Sequence, residues 1–227
     1  MTNAAPADAP RPSRLDRRKA RTRQALIDAA VELIATGRGD RASIQEITDA
    51  ADIGFGSFYN HFDSKDELFA TASAEVLERW GQMIDQACAG ISDPAEVFAV
   101  SFRISGRLGW THPGMARFIT GSGLSLLSAH TGLAPRALRD VRAGQTAGRF
   151  AALDADVVLC AVAGGLIGLL QLCQDHPEPM HDQVVDQLTE ALLRLLGVTA
   201  AEASRLTAIP IPEQGDWQAS SDLAPLA

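Results

Sequence analysis

The sequence predicts an all-α protein. Apolar residues recur at helical spacing along most of the chain, helix-start signals precede several of these segments, and the sequence shows no strand-like alternation. The chain has 227 residues, of which 46% are hydrophobic, and this is enough for a core in one or two folding units. We divide it into a loose segment 1–13, an N-terminal domain 14–63, a C-terminal domain 64–208 and a loose tail 209–227.

The N-terminal domain begins with a helix from Leu15 to about Thr36, which the following glycines end. Its inner face consists of Leu26, Ala29, Ala30, Leu33 and Ile34. The four residues 43–46 (Ser-Ile-Gln-Glu) form a capping box that begins a short helix. A second capping box at 64–67 (Ser-Lys-Asp-Glu) begins a long helix over about 65–88.

The C-terminal domain continues with more helices. Asp93 before Pro94, with Glu96 at the third position, predicts a helix over about 94–111. Further helices are expected at about 114–120, 135–147, 154–173, 181–196 and 199–207.

Charge divides the chain unevenly. The net charge is −8, but residues 11–23 carry seven basic side chains against one acidic, whereas residues 71–227 carry ten basic against seventeen acidic. A basic arm on an acidic body predicts a polyanion-binding end with a separate function elsewhere. Three widely spaced cysteines and the lack of a secretory signal favour a soluble cytoplasmic protein, with a mitochondrial transit peptide as the weaker alternative.

The segment 43–62 carries the functional signal. Its short helix, a turn at 52–54 and a second short helix at 55–62 have helix-turn-helix spacing, and the second helix of such a unit enters the DNA major groove. Phe58 and Phe62 should dock this helix on the core. The alternative, without a role in DNA binding, is two surface helices joined by a polar loop. The residues expected to contact DNA are Arg17, Arg18, Arg21, Arg23, Ser43, Gly56, Ser57, Tyr59, Asn60, His61 and Lys65.

These residues also carry a resemblance to the TetR/AcrR family of bacterial repressors. The runs that carry it are Arg21-Thr22-Arg23, Leu26-Ile27-Asp28-Ala29-Ala30, Ser43-Ile44-Gln45-Glu46-Ile47, Gly56-Ser57-Phe58-Tyr59-Asn60-His61-Phe62 and Ser64-Lys65-Asp66-Glu67-Leu68. The resemblance implies a homodimer on a palindromic operator and a C-terminal ligand domain that controls DNA binding. The family turn usually reads Ala-Gly-Val-Ser, whereas this chain has Ala51-Asp52-Ile53-Gly54. Asp52 tolerates the left-handed conformation that the glycine would adopt.

The segment 154–173 has almost no polar face, so we expect that a monomer of this size cannot bury its whole apolar surface. With 181–196 it is interpreted as half of an intermolecular four-helix bundle, and a purely internal core helix is the alternative. The expected interface residues are Leu159, Val162, Gly165, Leu166, Leu169, Val184, Leu188 and Leu192.

A ligand pocket is expected between the helices at 65–88, 94–111 and 135–147, because such pockets form between helices. The candidate lining residues are Trp80, Met83, Phe98, Phe102, Arg103, Arg107, Trp110, Met115 and Phe118. Arg103 and Arg107 either hold the acidic end of a ligand beside Trp110 or lie on a solvated edge. The expected effector is a small hydrophobic molecule, with an anionic end in the first case.

The sequence disfavours two other protein classes. An enzyme is disfavoured because the sequence lacks the HExxH, GxSxG, Walker A and GxGxxG motifs, and no cofactor is expected. The loop at 173–182 carries acidic, histidine and cysteine side chains that could hold a metal, but a solvated loop is the favoured interpretation, so no metal is predicted. An architectural DNA-binding protein without an effector is disfavoured by the acidic body.

Overall fold

The computed structural model describes residues 13–123, 132–176 and 181–212. Those residues are mostly helical and contain no strand, so the all-α prediction is confirmed. Two 3₁₀ helices, Gly39–Arg41 and Phe55–Asn60, accompany the α-helices. The α-helices are α1 (Arg14–Ala35), α2 (Ile44–Ala50), α3 (Lys65–Ala87), α4 (Pro94–Gly106), α5 (Leu108–Thr111), α6 (Pro113–Ser122), α7 (Leu133–Thr146), α8 (Ala155–Asp175), α9 (His181–Leu195) and α10 (Ala200–Thr207).

Side-chain caps define the helix starts. Ser43 and Glu46 form the full capping box at α2, as predicted. At α3 only half of the predicted box is present: Ser64 accepts from the Glu67 N–H, but the Glu67 carboxylate accepts from the Asp63 N–H at 2.7 Å. The second box was therefore wrong in one of its two bonds, because the carboxylate reaches one residue further back.

The predicted helix at 94–111 is divided into α4 and α5, which meet at Arg107. Two glycines lie at this junction, where neighbouring helices press close. A Cβ on Gly106 would lie 3.0 Å from Leu169 and Val185, and one on Gly109 would lie 2.7 Å from the Cys173 Cβ. The close approach of α8 and α9 therefore accounts for glycines that weaken the helix at this point.

The core consists of two clusters. The first joins α1, α2 and the 3₁₀ helix 55–60 to α3, α4, α5, α6 and α8, with Phe58 and Trp80 among its fully buried members. The second lies among α4, α7, α8, α9 and α10 and includes Phe98, Phe102 and Leu193. Because the first cluster is continuous across residue 64, the N-terminal unit is not separated from the helices behind it.

Arg103 joins α4 to α9 and to the segment that follows α10. The residue is 5% exposed, and its guanidinium donates from Nε to Asp186 at 2.7 Å and from Nη1 to the carbonyl of Ile209 at 2.6 Å. Ile211 packs against the first core cluster. Residues 209–212 are thus attached to the body, in contrast to the expected loose tail, whereas 213–227 lie outside the described residues.

α8 leaves an apolar face uncovered. By length and composition it would suffice to cross a membrane, a property shared by core helices of soluble proteins, yet only 22% of its most hydrophobic window is buried. Val157 is 58% exposed, and Leu172 is also exposed. Cys160, Gly164 and Gly168 continue the same face at helical spacing.

Candidate functional sites

The turn between α2 and the 3₁₀ helix 55–60 is held by local bonds. Asp52 has φ of +53° and is the one non-glycine residue with positive φ among those described. The Ile53 N–H donates to the carbonyl of Thr48 at 3.0 Å, which closes the turn. The conformation expected where the family has glycine is therefore observed at Asp52.

The 3₁₀ helix 55–60 has one buried and one exposed side. Phe58 is fully buried and Phe62, just beyond the helix, is nearly so; these two rings dock the segment on the core as predicted. Tyr59 is 55% exposed and Asn60 is exposed beside it. A Cβ on Gly56 would meet no atom within 4 Å, so the backbone there is open to a large partner.

Four arginines of α1 are exposed, Arg17, Arg18, Arg21 and Arg23, and we call them together the arginine row. The Arg23 guanidinium lies 4.7 Å from the ring centroid of Phe62, so this arginine lies against the docking aromatic. His61 is half-buried, and its Nδ1 is buried without a hydrogen-bond partner. Burial, with repulsion from Lys19 and Arg23, lowers the pKa of His61 and favours the neutral ring.

Ser43 and Lys65 lie together at the N-terminal end of α2. The Ser43 hydroxyl is occupied by the capping box with Glu46. Lys65, the first residue of α3, donates from Nζ to the carbonyl of Ala42 at 3.2 Å. The lysine therefore fixes the loop before α2 and places its positive charge beside the start of that helix. Ser57, in the 3₁₀ helix 55–60, is half-buried.

A cavity of about 80 Å³ lies between α3, α4, α7 and α8; we call it the α4 cavity. Phe98 and Phe102 line it with stacked rings whose centroids are 6.1 Å apart. Its full lining is Ile84, Asp85, Phe98, Ser101, Phe102, Ser105, Leu133, Arg136, Ala137, Asp140, Val162 and Leu166. Aromatic and aliphatic walls with a few polar groups are typical of a small-molecule site.

The polar side of the cavity belongs to an ion-pair network between α3 and α7, which we call the polar network: Glu78, Asp85, Arg136, Arg139 and Asp140. Arg136 donates to Glu78 and to Asp85 at 2.8 Å each, and Arg139 donates to Asp85 at 2.8 Å and to Asp140 at 2.7 Å. The arginine lowers the pKa of Glu78 to about 2, and the two arginines lower that of Asp85. These two carboxyls are therefore ionised at neutral pH.

The predicted dyad of Arg103 and Arg107 needs correction. Neither residue lines the α4 cavity, and each is paired with a carboxylate of α9. Arg103 is buried, so the solvated edge is wrong for this residue, whereas Arg107 is part-exposed beside the exposed Asp182 side chain. Arg107 Nε lies 2.8 Å from the Asp182 carboxylate, and Arg103 is bound by Asp186 as described above. A guanidinium already held by a carboxylate is a poor holder of a ligand anion.

The other predicted pocket residues lie in several places. Trp80, Met83 and Met115 are buried in the first core cluster, and Trp110 packs on the second. Phe118 lines a separate cleft of about 520 Å³ where α1, α3 and α6 meet. Of the nine candidates, only Phe98 and Phe102 line the α4 cavity.

Polar cavity residues were missed from the sequence, although a signal was present. Ser101 and Ser105 stand four apart on the face of α4 that carries Phe98 and Phe102, and Asp85 lies between the apolar residues Ile84 and Ala87 of α3. Arg136 and Asp140 show the same spacing on α7. Polar residues at helical spacing beside apolar ones were therefore the sequence pattern that could have predicted the polar lining of the cavity.

The residues expected at a dimer interface are mostly engaged within the chain. Leu159, Val162, Leu169 and Leu192 are buried, and Leu166 lines the α4 cavity with Val162. Gly165 faces Leu188 and Leu192 of the same chain, 3.8 Å from the position of an added Cβ. Val184 and Leu188 are half-buried against the second cluster. The exposed apolar surface of α8 lies on the neighbouring face, around Gly164 and Gly168.

Among the described residues, no group of three or more histidine, cysteine, aspartate or glutamate side chains is arranged to hold a metal. Part of the loop considered for metal binding, residues 177–180, lies outside the described residues.

A helix-turn-helix beside an arginine row, joined through a continuous core to a helical body with its own cavity, defines a regulator that combines DNA-binding and small-molecule domains. Residues 26–72 match the family model "Bacterial regulatory proteins, tetR family", and residues 93–208 match "Tetracyclin repressor-like, C-terminal domain". The chain belongs to the TetR family of transcriptional regulators.

Solved structures agree with this assignment. RolR (NCGL1110) in complex with resorcinol is 33% identical, with a TM-score of 0.72 over 87% of this chain and 98% of RolR. RolR without ligand is 33% identical, with a TM-score of 0.69 over 84% of this chain and 98% of RolR. The fatty acid degradation regulator FadR from Bacillus halodurans is 20% identical, covers 75% of this chain and 94% of FadR, and with a TM-score of 0.60 shows the fold alone. No curated protein matches the chain significantly.

Proposed function

We propose that this chain is a cytoplasmic repressor that binds a palindromic operator as a homodimer and leaves it when a small hydroxylated aromatic compound binds. The observation that carries the proposal is the exposed polar side of the 3₁₀ helix 55–60 beside the arginine row. Tyr59, Asn60 and the open backbone at Gly56 supply base and phosphate contacts, and the arginines supply phosphate contacts along α1. Ser43, Ser57, His61 and Lys65 complete this surface.

The dimer is supported by the uncovered face of α8. A single helix-turn-helix makes few contacts, and two copies separated by one turn of DNA double them. The exposed apolar positions on α8, with Ala191 and Leu195 exposed on α9, form a surface that a second copy would cover. The glycines at 164 and 168 leave room for close helix approach, since an added Cβ meets no atom within 4 Å at either.

The effector is supported by the α4 cavity and by the likeness to RolR, which was crystallised with resorcinol. One water-sized site needs roughly 10–15 Å³. At that scale, a cavity of about 80 Å³ holds about one small substituted ring. Stacked Phe98 and Phe102 suit a flat ring, and the polar network offers hydrogen-bond partners for hydroxyl groups.

Operator binding is tested by footprinting the full chain on the DNA around its own gene. A short protected palindrome is expected, and uniform coverage would instead indicate an architectural protein. Tyr59→Ala should weaken binding by about 1–3 kcal/mol, and Arg17→Ala should reduce the slope of log affinity against log salt by about 1. Gln86→Ala, on the exposed side of α3, is the matched control. Undiminished binding by the Tyr59→Ala, His61→Ala double variant would refute the assignment of the DNA-reading helix.

The effector is tested by adding resorcinol to the protein–DNA complex. Release of DNA is expected, and by linkage DNA should weaken resorcinol binding by the same factor. Phe102→Trp, which enlarges a side chain in the cavity wall, should abolish the response while leaving operator binding in place. A response to resorcinol unchanged by this substitution would place the effector elsewhere.

A further inference from the structure

The chemistry of the α4 cavity narrows the effector further, on the basis of the function proposed above. The cavity has an apolar side, formed by Phe98, Phe102 and aliphatic residues, and a polar side that contains Asp85, Arg136 and Asp140. The Ser105 hydroxyl donates to the Ser101 carbonyl at 2.9 Å, so its oxygen is left to accept. The Ser101 hydroxyl lies 3.4 Å from Cys88 Sγ, and the polar side consists of two carboxylates, two hydroxyls and one guanidinium.

Most N–H groups of Arg136, the one arginine that lines the cavity, are already in use. Its five N–H groups make four hydrogen bonds, one to Asp85, two to Glu78 and one to the carbonyl of Gly132. Arg139 is shared between Asp85 and Asp140. A Cβ on Gly81 would lie 2.6 Å from Arg136 Nη1, so the backbone of α3 fixes the guanidinium in place. The arginine is thus held toward its own carboxylates rather than kept ready for a ligand.

The network also has an excess of negative charge, because three carboxylates share two guanidinium groups. The cations nearest along α4, Arg103 and Arg107, are bound by the α9 carboxylates and do not line the cavity. The Asp140 side chain is 14% exposed, so solvent screens its charge only weakly. A second anion in this cavity would face carboxylates with no unoccupied cation.

We infer that the α4 cavity selects uncharged phenols and rejects aromatic carboxylates of the same size. A neutral phenolic O–H donates to a carboxylate of the network, and a hydrogen bond with one ionised partner is about twice as strong as a neutral one. An aromatic acid brings a negative charge to a site whose one guanidinium is already paired with two carboxylates. The selectivity resides in the carboxylates of Asp85 and Asp140 and in the pairing of Arg136 with Glu78 and Asp85.

The test compares resorcinol, 3-hydroxybenzamide and 3-hydroxybenzoate by calorimetric titration of the full-length protein. The last two have nearly the same shape and differ in charge. We expect resorcinol and the amide to bind and the carboxylate to bind about tenfold or more weakly than the amide. The substitution Asp140→Asn leaves two carboxylates for two guanidinium groups. In this variant the ratio of the affinity for the amide to the affinity for the carboxylate should fall by about tenfold. Glu32→Gln removes an exposed charge on α1 and should leave the ratio unchanged.

Equal affinity of the wild-type protein for the amide and the carboxylate would overturn the inference, while the proposed phenolic effector would stand if resorcinol still bound and released DNA. Binding of none of the three compounds would refute the proposed effector together with the inference. If Asp140→Asn fails to fold, as judged by circular dichroism, the wild-type comparison decides alone.

Discussion

Replacement of Asp52 by valine should weaken the helix-turn-helix without removing any contact. Asp52 is exposed, has φ of +53°, and its carboxylate makes no hydrogen bond within the described part of the chain. The left-handed conformation costs an ordinary L-residue about 1–2 kcal/mol, and aspartate and asparagine tolerate it better than β-branched residues do. We therefore expect Asp52→Val to lose about 1–2 kcal/mol of stability.

The change in melting temperature follows from the size of the chain. For domains of this length, 1 kcal/mol corresponds to about 2–4 °C, so Asp52→Val should melt about 2–8 °C lower. Asp52→Asn should melt close to wild type. Asp52→Gly relieves the strain but adds freedom to the unfolded chain, so its change should stay within about 1 kcal/mol.

The measurement is thermal unfolding by circular dichroism at one fixed protein concentration, because the melting temperature of the proposed dimer would depend on concentration. Operator affinity is measured in parallel. If the turn relaxes instead of holding the valine in a strained conformation, stability falls less but the 3₁₀ helix 55–60 is misplaced and affinity falls. An Asp52→Val protein with wild-type melting and wild-type affinity would refute the reasoning by either route.

Gly164→Arg should sediment as a folded monomer, because the added side chain meets open space within the protomer but would enter the proposed bundle between protomers. Gln86→Arg, at an exposed position of α3, is the control. A Gly164→Arg protein that remains a dimer would contradict the proposed interface. Gly144→Ala should lose about 1–3 kcal/mol in urea unfolding, because its Cβ would overlap the buried Phe150 ring; an unchanged midpoint would show that this ring moves freely. Acidification should weaken the fold as the pH falls from about 4.5 toward 2. Glu78 has an ordinary pKa of 4.5 and a folded pKa of about 2, so its ion pair stabilises fully above that range. Glu78→Gln should flatten stability measured against pH in that window, and an unchanged profile would assign the acid sensitivity to other groups.

The helices were predictable because their signals are local. Ser43, Asp93 and Asp154 each bind backbone N–H groups within three residues of themselves, so neighbouring sequence decides where α2, α4 and α8 begin. The docking role of Phe58 and Phe62 followed from their spacing on one short segment. The one difference at the start of α3 is also local: the Glu67 carboxylate accepts from the Asp63 N–H rather than from the predicted Ser64 N–H.

The cavity was less predictable because its polar groups belong to pairs distant in sequence. Arg136 meets Glu78 across 58 residues, and Arg103 meets Asp186 across 83. A helical wheel of α4 shows Arg103 near Arg107 but says nothing of α9, which supplies the carboxylates. Similarly, Leu169 and Val162 look like interface residues on α8 until the burial provided by α4 and α7 is known.

Phe102 and Arg103 are consecutive residues of α4, and they point to different neighbours. The ring lines the cavity, and the guanidinium is tied to α9 and to the carbonyl of Ile209. Under the proposed function, a ligand that displaces the ring would also shift Arg103 and, through Asp186, α9, one of the helices proposed to meet the second protomer. We therefore expect Arg103→Met to weaken the link between effector binding and the subunit contact, at a cost in stability because Asp186 loses its partner.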